Sequence, residues 1–327
     1  MTTTRVQRSA AATLSHTWFV DETPTDPTGT PTYAITDANG DAVASGNATI
    51  VAGQGRTTLA LAGQPDVAWY TVAWSATVGG FAIVEYDQVE IVGGFLFTLA
   101  DARASDATLA DTSKYPTADL KAKRQETEVE CEQICDQAWT VRYRRLVLDG
   151  TGFTDLPVPD GGDVHRGGIL LRGVRTIRRA SIAPTLAGTF VDLTTPQLAA
   201  VAVTADGKLR RTDGNVWTEG IQNVIVEYEY GNDAPPEDLQ WAAKQRLLQR
   251  LNLNKSGVPD RAASYTVDGG GTYRIAMPGP YETGSPEVDA AYARYSRRTT
   301  SGADGMPAPT GVTVTYEGQR NSLFHRR

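Results

Sequence analysis

The feature that most restricts the fold of this 327-residue chain is a change of period at Gly93-Gly94. Before that pair, Leu14, His16 and Trp18 alternate with Ser15 and Thr17, and Tyr70, Val72 and Trp74 alternate with Thr71 and Ala73. A period of two places each set on one face of a strand. Asn39-Gly40, Gly53-Gln54-Gly55 and Gly79-Gly80 punctuate these runs. Asn-Gly is expected to close a two-residue hairpin with positive φ at both centres. Charge changes at the same point. Residues 1–94 hold no lysine, three arginines and nine acids, a net of −6, whereas the remainder carries 28 basic and 29 acidic side chains. Such a step at a Gly-Gly pair marks a domain joint. About seven Thr- and Val-rich strands fit residues 1–94, the pattern of an immunoglobulin-like β-sandwich. No cysteine pair links its sheets, so Trp18 and Trp74 are expected to fill the space between them.

Beyond the joint the signals turn helical. Thr98, with Asp101 three residues on, reads as a capping box, and Phe97 is placed to staple Ala102. Pro116 opens a longer helix to about Trp139 with a stripe of Leu120, Thr127, Cys131, Ile134 and Ala138. Glu126, Glu128, Glu130, Glu132 and Asp136 fall off the stripe and read as a solvated face rather than a catalytic or metal cluster. Strands are expected at Val141–Leu148, Ile169–Leu171, Thr176–Ile182, Leu198–Thr204 and Val224–Tyr230. In the last, Val224, Val226, Tyr228 and Tyr230 oppose Glu227 and Glu229, as in a half-buried strand. Asp233 is placed to cap a helix from Pro236, in which Leu239, Ala243, Leu247 and Leu251 recur every four residues. A glycine-rich connection, Asp268 to Gly271, leads to a last helix capped by Ser285 with Pro286 first and with Val288, Ala291, Tyr292 and Tyr295 on its buried face. These two apolar faces need partners, and the helix from Pro116 is the expected one within the chain. The fold class is therefore α+β and multidomain: the sandwich at 1–94, then helices near 98–104, 116–139, 236–252 and 286–297 with a β insertion over 141–230, and an extended arm from 299 to 327. In the arm, Val312, Val314 and Tyr316 alternate with Thr313 and Thr315, ahead of Leu323 and Phe324. That pattern suits a strand added to a partner's sheet.

Composition excludes several classes. No apolar run is long enough to span a membrane, and Met1 to Ala12 lacks the apolar centre of a secretion signal. A net charge of −7 disfavours a protein whose main partner is nucleic acid. Arginines outnumber acids eight to four between Arg142 and Arg179, which admits a nucleic-acid patch; without aromatic interleaving or a recognised binding motif, ion pairs between subunits explain them at least as well. Cys131 and Cys135 share a helix face, but His16, His165 and His325 are scattered, so burial rather than metal binding is expected. No catalytic motif is present, and Asp155, Asp160 and Asp163 lie among Pro157, Pro159, Gly161 and Gly162, where turn chemistry explains them. Neither enzyme activity nor a cofactor is expected.

Several strings, in order, resemble the head-to-tail connector (adaptor) proteins of long-tailed bacteriophages, particularly those of actinobacterial hosts. They are Tyr115-Pro116-Thr117-Ala118-Asp119-Leu120, Trp139-Thr140-Val141-Arg142 running to Leu148-Asp149-Gly150, Leu156-Pro157-Val158, the helix from Pro236, and Gly284-Ser285-Pro286-Glu287-Val288-Asp289 with Arg294-Tyr295. The resemblance runs from Phe97 to Arg298, about three-fifths of the chain. Asp136 departs from it, standing where related proteins often close the long helix with glycine, and minimal members lack the N-terminal β-domain. The resemblance implies a helical bundle with a β insertion that assembles into a ring, usually of twelve copies, below the portal at the capsid vertex. It implies as partners the portal protein, a downstream connector or tail-completion protein, and other copies of the chain. DNA passes through the lumen without specific binding, and a C-terminal arm docks the portal. The location implied is the virion neck, assembled in the host cytoplasm. The competing reading is a cell-surface or virion-decorating protein that holds glycan or protein through its immunoglobulin-like domain.

Overall fold

The computed structural model describes residues 3–158, 174–184, 188–204, 208–253, 264–267, 271–274 and 281–296. The fold is α+β, mostly strands in several sheets with few helices. It divides into two compact units: one holds Met1–Gly93 and Val141–Gly231, the other Gly94–Thr140 and Asn232–Val312. The chain thus leaves the first unit at the Gly-Gly pair, and the β segment after Val141 belongs with the N-terminal strands.

Ten strands precede Gly93: β1 (Thr3–Gln7), β2 (Ala12–Thr17), β3 (Phe19–Val20), β4 (Thr23–Pro24), β5 (Thr28–Asp37), β6 (Ala42–Asn47), β7 (Thr49–Val51), β8 (Arg56–Leu61), β9 (Ala68–Val78) and β10 (Phe81–Val92). A five-stranded sheet in the order β1-β10-β9-β5-β6 and a three-stranded sheet β2-β8-β7 share one core, while β3 and β4 pair alone. Leu14, Leu59 and Leu61 from the smaller sheet meet Ile35, Val72, Val89 and Ile91 from the larger. Trp18 and Trp74 are both buried there, and Trp18 Nε1 donates to Thr57 Oγ1 at 3.1 Å. The Asn39-Gly40 turn differs from expectation. Gly40 alone takes positive φ (87°), Gly40 N–H bonds Asp37 O, and Asp37 N–H bonds Asp41 O. That is a three-residue loop with a bulge, favoured here because the Asp37 carboxylate accepts from the Asn39 and Asp41 amides. The two-residue hairpin with φ positive at both centres occurs instead at Gly79 (60°) and Gly80 (88°).

After Val141 come β11 (Arg142–Gly150), β12 (Asp155–Pro157), β13 (Val174–Ile182), β14 (Val191–Asp192), a short α3 (Thr195–Ala199), β15 (Val201–Val203), β16 (Lys208–Arg211) and β17 (Gly220–Tyr230). They form sheets β11-β17-β13-β14 and β12-β16-β15 around Trp217, Leu209 and Val226. The expected strand at Leu198–Thr204 begins as helix. Thr194 and Gln197 cap it reciprocally with Pro196 in its first turn, and only Val201–Val203 is extended. Strand β17 is buried on both faces rather than one, because Glu227 is covered too: Asn39 Nδ2 donates to it at 2.7 Å. The expected strand at Ile169–Leu171 lies outside the described residues.

The second unit holds α1 (Leu99–Ser105), a 3-10 turn (Ala107–Ala110), α2 (Thr117–Cys135), α4 (Glu237–Leu253), a hairpin of β18 (Ser264–Val267) and β19 (Gly271–Arg274), and α5 (Pro286–Tyr295). Helix α2 stops short of Trp139 because Asp136 turns left-handed (φ 52°, ψ 40°), and Pro116 serves as N-cap rather than a first-turn residue. The capping box at Thr98 and Asp101 is complete, and Phe97 and Ala102 are buried together. Ser285 precedes α5 but makes no side-chain cap; the Asp289 carboxylate reaches back to the Thr283 N–H and hydroxyl at 2.7 Å instead. Asp233 lies too far upstream of Glu237 to cap α4, which opens at Pro236 through the Gln240 N–H to Pro236 O bond.

Candidate assembly surfaces

The helical unit is built by burial first and ion pairs second. Leu239, Ala243 and Leu247 of α4 and Val288 and Tyr292 of α5 are fully buried against Leu120, Cys131 and Cys135 of α2. Leu251 and Tyr295 pack on the same cluster while partly exposed. Burying a Leu- or Val-sized side chain contributes roughly 1.5–3 kcal/mol, so these contacts outweigh any single polar pair. Tyr295 is held at both ends: its ring meets Trp139 edge to face at 5.4 Å, and its hydroxyl donates to Asp238 at 2.7 Å. Arg294 bonds the other oxygen of Asp238, also at 2.7 Å. The sulfurs of the free Cys131 and Cys135 lie 3.9 Å apart, and the hydrogen bond between the two thiols together with burial pushes the Cys131 thiol well up. Burial likewise raises the Tyr292 phenol. Neither group is poised to ionise near neutrality.

The acidic side of α2 is not a solvated face. Glu130 grips Arg246 through both oxygens at 2.8 Å, Arg250 reaches Glu126 and Glu130 at 3.0 Å, and Lys123 pairs with Glu126. Glu128 is buried and accepts the Leu96 N–H at 2.9 Å. Arg124, buried too, stacks over Phe95 and donates to Phe97 O. The roles of Glu128 and Arg124 are not legible in the sequence, since their partners include a backbone amide, a carbonyl and a ring close to the domain joint.

In the β unit, Arg142, Arg145, Arg178 and Arg179 have partners within the chain. Arg142, 2% exposed, pairs with Glu90 at 2.6 Å, and Arg5 bonds the same carboxylate at 3.0 Å. Arg145 donates to Asn39 at 2.9 Å, Arg178 pairs with Asp66 and with Glu229, and Arg179 holds Asp192. Asp155 forms a two-pronged pair with Arg210, while Asp160 and Asp163 lie outside the described residues. Among the described residues no group of three His, Cys, Asp or Glu side chains is placed to hold a metal, and no helix is long and apolar enough to cross a membrane. The arm residues Val312, Val314, Tyr316, Leu323 and Phe324 fall outside the described residues.

No family model matches the chain, and no curated protein does. Among solved structures it is similar to a chain from the neck of an empty GTA particle computed with C6 symmetry, at TM-score 0.33 and 16% identity over 57% of this chain and 81% of that one. It is also similar to a tetra-tandem repeat in the extending region of a large adhesion protein, at TM-score 0.19 and 13% identity over 69% of this chain and 50% of that one. At such scores neither likeness establishes a shared fold.

Proposed function

We propose that the chain is a structural protein of a tailed-phage virion, a head-to-tail adaptor that assembles as a ring below the portal and extends the DNA channel. The observation that carries this reading is the helical bundle. Strings distant in sequence, Tyr115 to Leu120 and Gly284 to Tyr295, contribute to one buried cluster with α4, and they are two of the strings that resemble adaptor proteins. The described polar groups agree: Glu128, Glu130 and Arg142 are held in structural pairs within the chain. A net charge of −7 suits a lumen through which DNA must slide, since phosphate-neutralising contacts would hold it. Portal, downstream connector and further copies are the partners of this reading, and residues 299–327 its docking arm.

The N-terminal sandwich reads as immunoglobulin-like. Its support is the sheet order β1-β10-β9-β5-β6 against β2-β8-β7, with β1 parallel to β10 and with Trp74 of β9 and Trp18, just past β2, in the core between them.

Mass measurement of the full chain, alone and mixed with its portal, tests the adaptor reading. A ring, formed alone or on the portal, is the expected outcome. A persistent monomer that ignores portal would refute it. Deleting residues 299–327 is expected to abolish portal binding, and unchanged affinity would remove the arm from the reading.

A further inference from the structure

The outer face of the five-stranded sheet carries an observation that the adaptor reading does not use. Register places Ser45, Ala34, Ala73 and Tyr86 in one row straight across β6, β5, β9 and β10, with Ser75 beside Val84 in the next. Val84 and Tyr86 are 52% and 49% exposed, and Ser45 and Ala34 are exposed as well. Not one of the nine acids of residues 1–94 lies on this open stretch. They sit in turns and loops, on the inward-facing positions Asp37, Glu85 and Asp87, or at Glu90. The same face is already a packing surface further along. There Val67 and Trp69 are covered by Val141 and Tyr143, and Glu90 meets Arg142. The covered part and the open part are one continuous surface.

We propose that this open face pairs with the same face of a second copy. In a two-fold contact each residue near the axis meets its own counterpart, so any ionisable side chain there would repel itself. The open stretch of this face carries none of the acids or arginines of a domain with a net of −6, which meets that requirement. Charge depletion around an exposed aromatic is also the mark of an interface centre. Area sets the strength: four strands about 4.8 Å apart and about seven residues long present roughly 450 Å². A pair then buries roughly 900 Å², the size of a weak, reversible contact. The pairing concerns the sandwich and does not depend on ring formation.

Sedimentation velocity of the full chain over a micromolar to several-hundred-micromolar range tests this. Reversible association is expected, weakened more than tenfold by Ser75→Lys, because like charges facing each other across an interface are strongly disfavoured. Tyr86→Ser, a milder change that adds no charge, is expected to weaken it too. Ala60→Lys, on an exposed position of β8 in the other sheet, should leave it unchanged. A monomer throughout the range, or an association that the face variants leave intact while their circular dichroism stays native, overturns the proposal. So does equal weakening by Ala60→Lys.

Discussion

Asp136 ends α2 in a conformation that an L-residue with a Cβ adopts at a cost, φ 52° and ψ 40°, with its own N–H and that of Gln137 both bonded to Glu132 O. Glycine takes that conformation freely. Asp136→Gly is therefore expected to stabilise the chain by about 0.5–1 kcal/mol in urea unfolding, since no side-chain partner is lost that outweighs the backbone strain. A loss of stability would show that the carboxylate matters more than the backbone. Asn223 works in the opposite direction. Buried to 1% exposure, it accepts the Gly150 N–H at 2.8 Å and donates to Thr218 O and Ala183 O. Asn223→Ala leaves buried backbone groups without partners and should cost about 3 kcal/mol. The sequence marked Asp136 as a departure at a helix end, which is its role. It gave nothing for Asn223, because a buried amide among backbone groups from three segments leaves no local pattern.

At the scale of elements, periodicity and end signals located most of what formed. The strands around Leu14–Trp18 and Tyr70–Trp74, the Thr98 box and the two four-residue stripes follow from local rules of spacing and capping. Ends are less legible where several local caps compete: Asp289 reaching back to Thr283 takes the place of a Ser285 cap, and the Thr194–Gln197 box turns an expected strand start into helix. Thr98→Ala removes one half of a complete box and is expected to lower stability by about 1 kcal/mol, read as a shift in denaturant midpoint with unchanged slope. The Glu130–Arg246 pair joins α2 to α4 through two bonds, each 2.8 Å. A double-mutant cycle with Glu130→Gln and Arg246→Met is expected to give a coupling of about 1–2 kcal/mol, and additivity would make the pair ornamental. The acidic run reads as a wetted helix face in the sequence, since nothing in a single sequence places a later helix's arginines opposite it.

For the whole molecule, the joint at Gly93-Gly94 was legible but its meaning was not. The strands on either side of residues 94–140 share the Glu90–Arg142 pair and the Val67–Val141 contact, and only three dimensions bring those together. Glu90→Gln strips a buried arginine of its carboxylate and should cost about 3 kcal/mol, with residues 1–93 and 141–231 losing hydrogen-exchange protection together. Acid sensitivity is set by carboxylates held below their usual range. Hydrogen bonds from Thr98 do this to Asp101, from Thr108 to Asp106, from Ser113 to Asp111, and from Arg179 and Ser181 to Asp192. Groups whose pKa falls on folding stabilise fully above the unfolded value of about 3.9, and that contribution is lost as pH drops through the folded values. Calorimetry should therefore find little change between pH 7 and 5 from these groups and a falling Tm below about pH 4; a Tm that rises on acidification would contradict it. The discontinuity of the β unit also fixes an order of events during synthesis. A ribosome adding about 5–20 residues per second releases the N-terminal strands long before Arg142 and β17 exist. Glu90 must wait on the nascent chain with Arg5 as its first partner, and the helices cannot close until α5 emerges. The two units are interleaved in time as well as in sequence, so a chain truncated anywhere between Gly94 and Gly231 leaves both of them unfinished.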